Sequence, residues 1–343
     1  MILEILGWIF LVVICVGAYF AWKIYRFVKN QNNSDISLAM SVLPSMEMEL
    51  EPSNAQEWKE VERLEYIESE LKKIGASHVG FFCVYNGYAI IRISMWNFKD
   101  QAVAIIYEVL SELDKENVSF IYEVSCKLDD GSVCVTSNQH AVYESRPKNH
   151  KIVFSESNSI LDFLKGIKSE LPKDKKVQRI RDSKSYFLEC YEDISEWGWR
   201  PEQIRGDKTQ QVLSSVGVTV TEELMDELVE MGISYSVDVN INRARRVLAK
   251  HSKMSADQWE EIREKLVFIN ESMRLDHLVE AVYDIAGELT EAQEQVLEGF
   301  QDNTDKLVNP INAFQMLLQT LNLRVKKVTS MDDPIKTEVY LPL

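Results

Sequence analysis

The chain has 343 residues, enough for two domains of ordinary size with further segments. Hydrophobic residues make up 45% and charged residues 27%, which excludes a largely disordered, collagenous or polytopic membrane protein. With 54 acidic and 38 basic residues the net charge is −16, so phosphate backbones repel the chain as a whole and a broad nucleic-acid-binding role is disfavoured.

From Ile5 to Trp22 no residue is charged. At ~1.5 Å per helical residue this run spans about 27 Å, near the ~30 Å hydrocarbon thickness, and it reads as one transmembrane helix. Trp8 and Trp22 lie near its ends, where indoles favour the headgroup region, and Lys23, Arg26 and Lys29 follow directly. The positive-inside bias then places the N-terminus outside and everything after residue 30 in the cytoplasm. A cleaved signal peptide is the rival, with Val16-Gly17-Ala18 as its site, but no Lys or Arg precedes the apolar run and the run continues past Ala18. The lipid bilayer is thus the first expected partner, through residues 5–22.

Residues 31–53 are polar, carry two prolines and read as a tether. Asn54 with Glu57 has the spacing of a capping box, and Trp58, Val61, Leu64, Ile67, Leu71 and Ile74 recur at helical spacing up to Gly75. His78–Tyr85 and Tyr88–Trp96 are apolar β-rich runs around Asn86-Gly87, which predicts a hairpin covered on both faces. Between Asn97 and Glu116, Ala102, Ile105, Ile106, Val109, Leu110 and Leu113 fit a helix. A second hairpin is expected over Ser119–Leu128 and Ser132–Asn138, then a short strand at Lys151–Phe154 and a helix from Ile160 to about Leu171. The fold class expected is α+β: a transmembrane helix (1–30), the tether (31–53) and an antiparallel-sheet domain (54–171). A basic linker (172–184), a mostly α-helical domain (185–322) and a tail (323–343) able to form a hairpin complete it. Helical runs are expected around 185–196, 221–231, 240–252, 255–274, 276–287, 291–303 and 306–321, with Ser255 and Thr290 as caps.

The five cysteines make no C-x-x-C pair, as suits a reducing compartment. A two-residue Asp130-Gly131 loop would set Cys126 opposite Val135 and Leu128 opposite Val133; only a three-residue loop would set Cys126 opposite Cys134, a register that mixes the faces, and free thiols are expected. No cofactor or metal is expected: the histidines are far apart and form no H-x-H, H-E-x-x-H or H-x-x-x-H pair, and neither G-x-x-x-x-G-K-[ST] nor G-x-G-x-x-G occurs. Ser137 and His140 with Asp129 or Asp130 are the residue types of a nucleophile, base and orienting acid, but no G-x-S-x-G elbow surrounds the serine, and a turn and its exit account for them better. Trp197-Gly198-Trp199 can frame an aromatic slot for a peptide or cation, or pack in a core.

The C-terminal half is polarised. Arg243, Arg246, Lys250 and Lys253 fall within an ~80° helical arc. Between Leu275 and Asp305 there are nine acids and no Lys or Arg. Of these Asp276, Glu280, Asp284 and Glu288 recur every four residues, where like charges cost a few tenths of a kcal/mol per pair unless a basic surface faces them. That surface is the basic stripe, a second copy of the chain, or another protein; a solvated face is the alternative.

The hairpin Tyr122–Asn138, with Asp130-Gly131-Ser132-Val133-Cys134-Val135-Thr136-Ser137-Asn138 and the later Arg146-Pro147, resembles a pattern in uncharacterised bacterial proteins that join an N-terminal membrane helix to a small cytoplasmic α+β domain. The resemblance covers about a third of the chain. It implies bacterial origin and an inner-membrane location, and it carries neither an activity nor site residues. The expected function is a membrane-anchored cytosolic adaptor or scaffold without a catalytic motif, binding a protein partner or itself through the helical domain. The alternative is a hydrolase whose site is assembled from distant residues of the α+β domain.

Overall fold

Ten-residue strands with apolar side chains on both faces form the first part of the fold, a sheet that needs cover above and below. The computed structural model describes residues 36, 38–40, 43–86, 89–111, 118–138, 147–157, 159–172, 174–251, 255–301, 309–331 and 335–343. The expected anchor, with Trp8, Trp22, Lys23, Arg26 and Lys29, therefore lies outside the described residues. Among those described, no helix is long and apolar enough to cross a membrane. The chain divides into two units, one ending at Val229 and one running Glu230–Leu343, and the whole is α+β.

In the first unit seven strands lie in sequence order: β1 (Glu51–Pro52), β2 (Ser77–Asn86), β3 (Ala89–Phe98), β4 (Ala102–Ser111), β5 (Val118–Lys127), β6 (Val133–Ser137) and β7 (His150–Phe154). All neighbours are antiparallel except β6 and β7, which are parallel, so the expected antiparallel sheet is mixed. Helices α1 (Val61–Lys73) and α2 (Ile160–Glu170) cover one face. Their Leu64, Ile67, Leu71, Phe163 and Ile167 pack on Trp96, Ala104, Ile106, Tyr122, Val124 and Cys126. Helix α3 (Ser183–Gly198) covers the other face, where Tyr186 and Phe187 join Phe82, Ile93, Met95, Val103 and Ile105. Each large side chain buried in this way contributes about 1.5–3 kcal/mol.

The helix expected over 97–116 is strand β4. Its run Ala102–Leu110 is apolar at nearly every position, a pattern that matches helical spacing and a doubly covered strand equally well. The turn before it carries no glycine. Lys99 and Asp100 adopt φ of 53° and 56°, with Asn97 Oδ1 accepting from Asp100 N at 2.7 Å, so the turn lacks the usual sequence signal. The first hairpin pairs Asn86 with Ala89, one residue later than the Asn86-Gly87 signal implies.

Glu108 of β4 is fully buried on the α1 face. Its carboxylate accepts from Lys59 N at 2.9 Å, Glu60 N at 3.0 Å and Arg92 Nη1 at 2.6 Å. Glu60, the N-cap of α1, makes no side-chain cap bond, so a strand side chain satisfies the helix entrance that helices otherwise cap locally. Asn54 caps only a short 3-10 turn, Ala55–Glu57, and α1 starts later than the capping-box signal suggests.

The expected linker is part of this unit. Gln178 N donates to Lys127 O at 2.8 Å and Ile180 N to Asp100 O at 2.7 Å, and Ile180 is buried. This stretch crosses one end of the sheet from α2 to α3. The short helices α4 (Pro201–Ile204) and α5 (Asp207–Ser215) follow. The two runs expected at 221–231 and 240–252 are one helix, α6 (Glu222–His251).

The second unit is α+β: one strand interrupts the helices expected over 185–322, and the tail expected beyond them forms a hairpin that joins it. The helix expected at 255–274 stops early: α7 covers Ala256–Arg263, with Ser255 and Gln258 forming a capping box, and β8 covers Val267–Asn270. Helices α8 (Leu275–Ala286), α9 (Glu291–Gln301) and α10 (Pro310–Thr320) follow, and the tail forms the hairpin β9 (Val325–Met331) and β10 (Thr337–Pro342). The sheet order is β8-β10-β9. Leu278, Val282, Phe314 and Leu317 pack against Val267, Ile269 and Tyr340, while Phe268 and Val339 face Ala244, Trp259 and Ile262.

Glu108→Ala is expected to destabilise the first unit by about 3–5 kcal/mol, because Arg92 loses its partner in the sheet and the two backbone N–H groups at the start of α1 lose their acceptor. Urea denaturation followed by tryptophan fluorescence measures this. Glu108→Gln should fall between wild type and alanine.

Candidate functional site

Two kinds of feature compete for a functional role: charged faces on the second unit and polar groups assembled inside the first. Helix α8 buries Leu278, Ala281 and Val282, which turns Asp276, Glu280 and Asp284 to solvent on its opposite face. Glu288 is exposed but lies past the helix end, where Gly287 takes φ 67° and its N–H returns to Tyr283 O at 2.8 Å. The row of four is therefore three residues on a helix and one beyond it. Asp276 contacts neighbouring His277 at 3.1 Å. Among the described residues Glu280, Asp284 and Glu288 form no ion pair, so the basic stripe of the same chain is not their partner there. On α6, Arg246 and Lys250 are exposed and Arg243 is half-buried. Arg243 and Arg246 are engaged with neighbouring groups, and Lys253 lies outside the described residues.

Trp199 is fully buried and its Nε1 donates to Pro44 O at 2.6 Å. Ser195 Oγ and Tyr191 Oη both donate to Ser45 O, at 2.7 and 3.0 Å. A Cβ on Gly198 would stand 3.0 Å from Pro44 Cγ. The aromatic slot expected at Trp197 and Trp199 thus holds the chain's own backbone, with Trp197 half-buried beside it. Part of the expected tether is accordingly packed against α3, with Leu43 and Leu50 buried.

Distant residues do meet in the first unit. His150 of β7 has a buried ring whose nitrogens lack hydrogen-bond partners, with Asp193 Oδ2 of α3 at 3.6 Å. One turn before Asp193, burial pushes the Cys190 thiol up to about 12, the protonated and unreactive form at neutral pH. Burial also raises Tyr186 well above the ordinary phenol range. On the opposite face His78 Nε2 lies 3.5 Å from Ser94 Oγ, which accepts from Trp96 Nε1 at 2.9 Å. His78 sits between the rings of Phe81 and Trp96, at 4.4 and 4.6 Å, and burial lowers its pKa. Ser94 is completely buried, so a substrate carbonyl has no approach to it.

The Ser137, His140, Asp129 and Asp130 grouping is not formed among the described residues. Ser137 is buried at the far end of β6 from the Asp129-Asp130 turn, and His140 lies outside them. Asp130 holds the turn by accepting from Ser132 Oγ at 2.6 Å and pairing with Lys175, contacts that keep its carboxyl below the usual range. Among the described residues no three His, Cys, Asp or Glu side chains converge as a metal site.

The β5–β6 hairpin departs from the expected register. Cys126 faces Cys134, and Lys127 faces Val133, because Leu128 N bonds Ser132 O and leaves a three-residue loop. Both cysteines are free thiols in the structure. Glu108 and the His150–Asp193 contact escape sequence reasoning because each joins residues whose proximity depends on strand register or helix docking, and the thiol pair is visible in sequence only as the less favoured of two loop lengths.

Comparison of the chain with protein-family models, curated proteins and solved structures finds no match in any of the three.

Trp199→Phe keeps an aromatic ring but removes the indole N–H, leaving Pro44 O without its donor, and opens a small gap at a fully buried position. A loss of about 1–3 kcal/mol is expected, together with faster proteolytic cleavage between residues 45 and 50, read by limited digestion and mass spectrometry.

Proposed function

We propose that the chain is a single-pass protein of the bacterial inner membrane whose two units work in the cytoplasm as an adaptor or scaffold, with the acidic face of α8 binding a basic protein surface. The observation that carries this reading is the exposed row Asp276, Glu280 and Asp284, of which Glu280 and Asp284 have no ionic partner among the described residues. Like charges at this spacing repel by a few tenths of a kcal/mol per pair, and a cationic partner converts that cost into attraction. The uncharged run at residues 5–22 and the cationic flank Lys23, Arg26 and Lys29 support the anchor and its orientation.

A hydrolase is the second reading, favoured by the His150–Asp193 contact between distant segments. It is the weaker of the two. A nucleophile must be activated and reachable, whereas the Cys190 thiol is held protonated by burial and Ser94 is sealed beneath Trp96.

Reversing Glu280 and Asp284 to Lys should reduce salt-sensitive recovery of cross-linked partners at least tenfold, with the melting temperature unchanged or slightly raised as repulsion is relieved. Equal recovery from the double variant would mean the face is only solvated. For the orientation, alkaline phosphatase fused after Ile160 is expected to be inactive in cells, and high periplasmic activity would reverse the topology.

A further inference from the structure

Cys126 of β5 and Cys134 of β6 are directly opposed, and each is 1% exposed. Leu128 N bonds Ser132 O at 2.8 Å and Asn138 N bonds Tyr122 O at 3.4 Å. Both contacts lie an even number of residues from the cysteines in the same register, so Cys126 and Cys134 form a hydrogen-bonded pair of the ladder. Such pairs hold their Cα atoms about 5.5 Å apart, inside the ~4.4–6.8 Å range of disulfides. Their Cβ atoms, at about 4.5–5.5 Å, are wider apart than the ~3.5–4.5 Å a disulfide adopts. A bond is within reach if the ladder contracts locally, and contraction makes a disulfide easier to reduce. The hydrogen bond between the two thiols lowers the Cys134 pKa against the opposing effect of burial, and Lys151 of β7, beside Cys134 in the parallel register and paired with Glu170 at 3.0 Å, adds a smaller favourable charge.

We propose that Cys126 and Cys134 form a reversible dithiol–disulfide pair that reacts with peroxide. The Cys134 thiolate attacks one oxygen of hydrogen peroxide, the O–O bond breaks, and the departing oxygen takes a proton and leaves as water. The Cys134 sulfenic acid is then attacked by the Cys126 sulfur, forming the S–S bond and releasing a second water. Two thiols and one peroxide give one disulfide and two waters, with two electrons passing from the sulfurs to the peroxide oxygens. Both sulfurs are buried, so the reaction requires a local opening that admits the oxidant, and glutathione returns the pair to thiols by exchange.

The test uses full-length protein treated with hydrogen peroxide, quenched in acid, denatured, alkylated, digested and analysed by mass spectrometry. The expected product is a linked peptide pair containing Cys126 and Cys134, which millimolar glutathione converts back to two alkylated cysteines. In Cys134→Ser that linked pair should vanish. The proposal is overturned if Cys126 and Cys134 are both recovered as thiols after peroxide treatment, whether or not Cys83 or Cys190 is oxidised. It is equally overturned if Cys126 is found linked to Cys83 or Cys190 in the wild type, or if glutathione leaves the Cys126–Cys134 link intact.

Discussion

The carboxylate of Glu108 ties the first unit together, because it is the buried charge to which a helix entrance and two strands are fitted at once. It accepts from the backbone of Lys59 and Glu60 and from Arg92 on the adjacent strand. A fully buried carboxylate is tolerable only when such donors surround it. The arrangement therefore sets where α1 meets the sheet, and Leu64, Ile67 and Leu71 can then pack on Trp96 and Ile106. Hydrophobic burial supplies most of the stabilisation, and the charge sets the register in which that burial occurs.

Covering the sheet on both faces has a consequence for function. The polar groups that meet across it, among them His150, Ser94, Tyr186 and the two thiols, are enclosed by packed helices and strands. Burial keeps the Cys190 thiol and the Tyr186 phenol protonated and leaves little room for a substrate larger than a water-sized molecule beside Ser94. The Pro44–Ser45 backbone occupying the Trp199 site follows the same pattern: a feature suited to binding is satisfied from within the chain.

The charges of the second unit behave differently. Arg263 pairs with Glu260 and Glu264, and Lys327 with Glu338, while Glu280, Asp284 and Glu288 face solvent without an ionic partner among the described residues. An acidic helix face that the fold does not neutralise favours association with a basic surface through long-range attraction.

Sequence patterns alone determined the elements whose signals are local. Examples are the hairpin near Asn86, the strands around Asp130-Gly131, the helix at 160–170 and the Ser255 capping box, since turn chemistry and caps act over three or four residues. Helical periodicity likewise located the solvent face of α8 and its acids. Other features were decided by tertiary structure. The apolar run Ala102–Leu110 is compatible with helix and strand alike, and pairing with β3 and β5 selects the strand. Val267–Asn270 becomes a strand because β10, some seventy residues later, pairs with it. The cysteine register turns on a single residue of loop length, which exchanges the partners of every side chain in the hairpin. Glu108 reads in sequence as one acid among many; its role exists only once the sheet brings it to the start of a helix nearly fifty residues away.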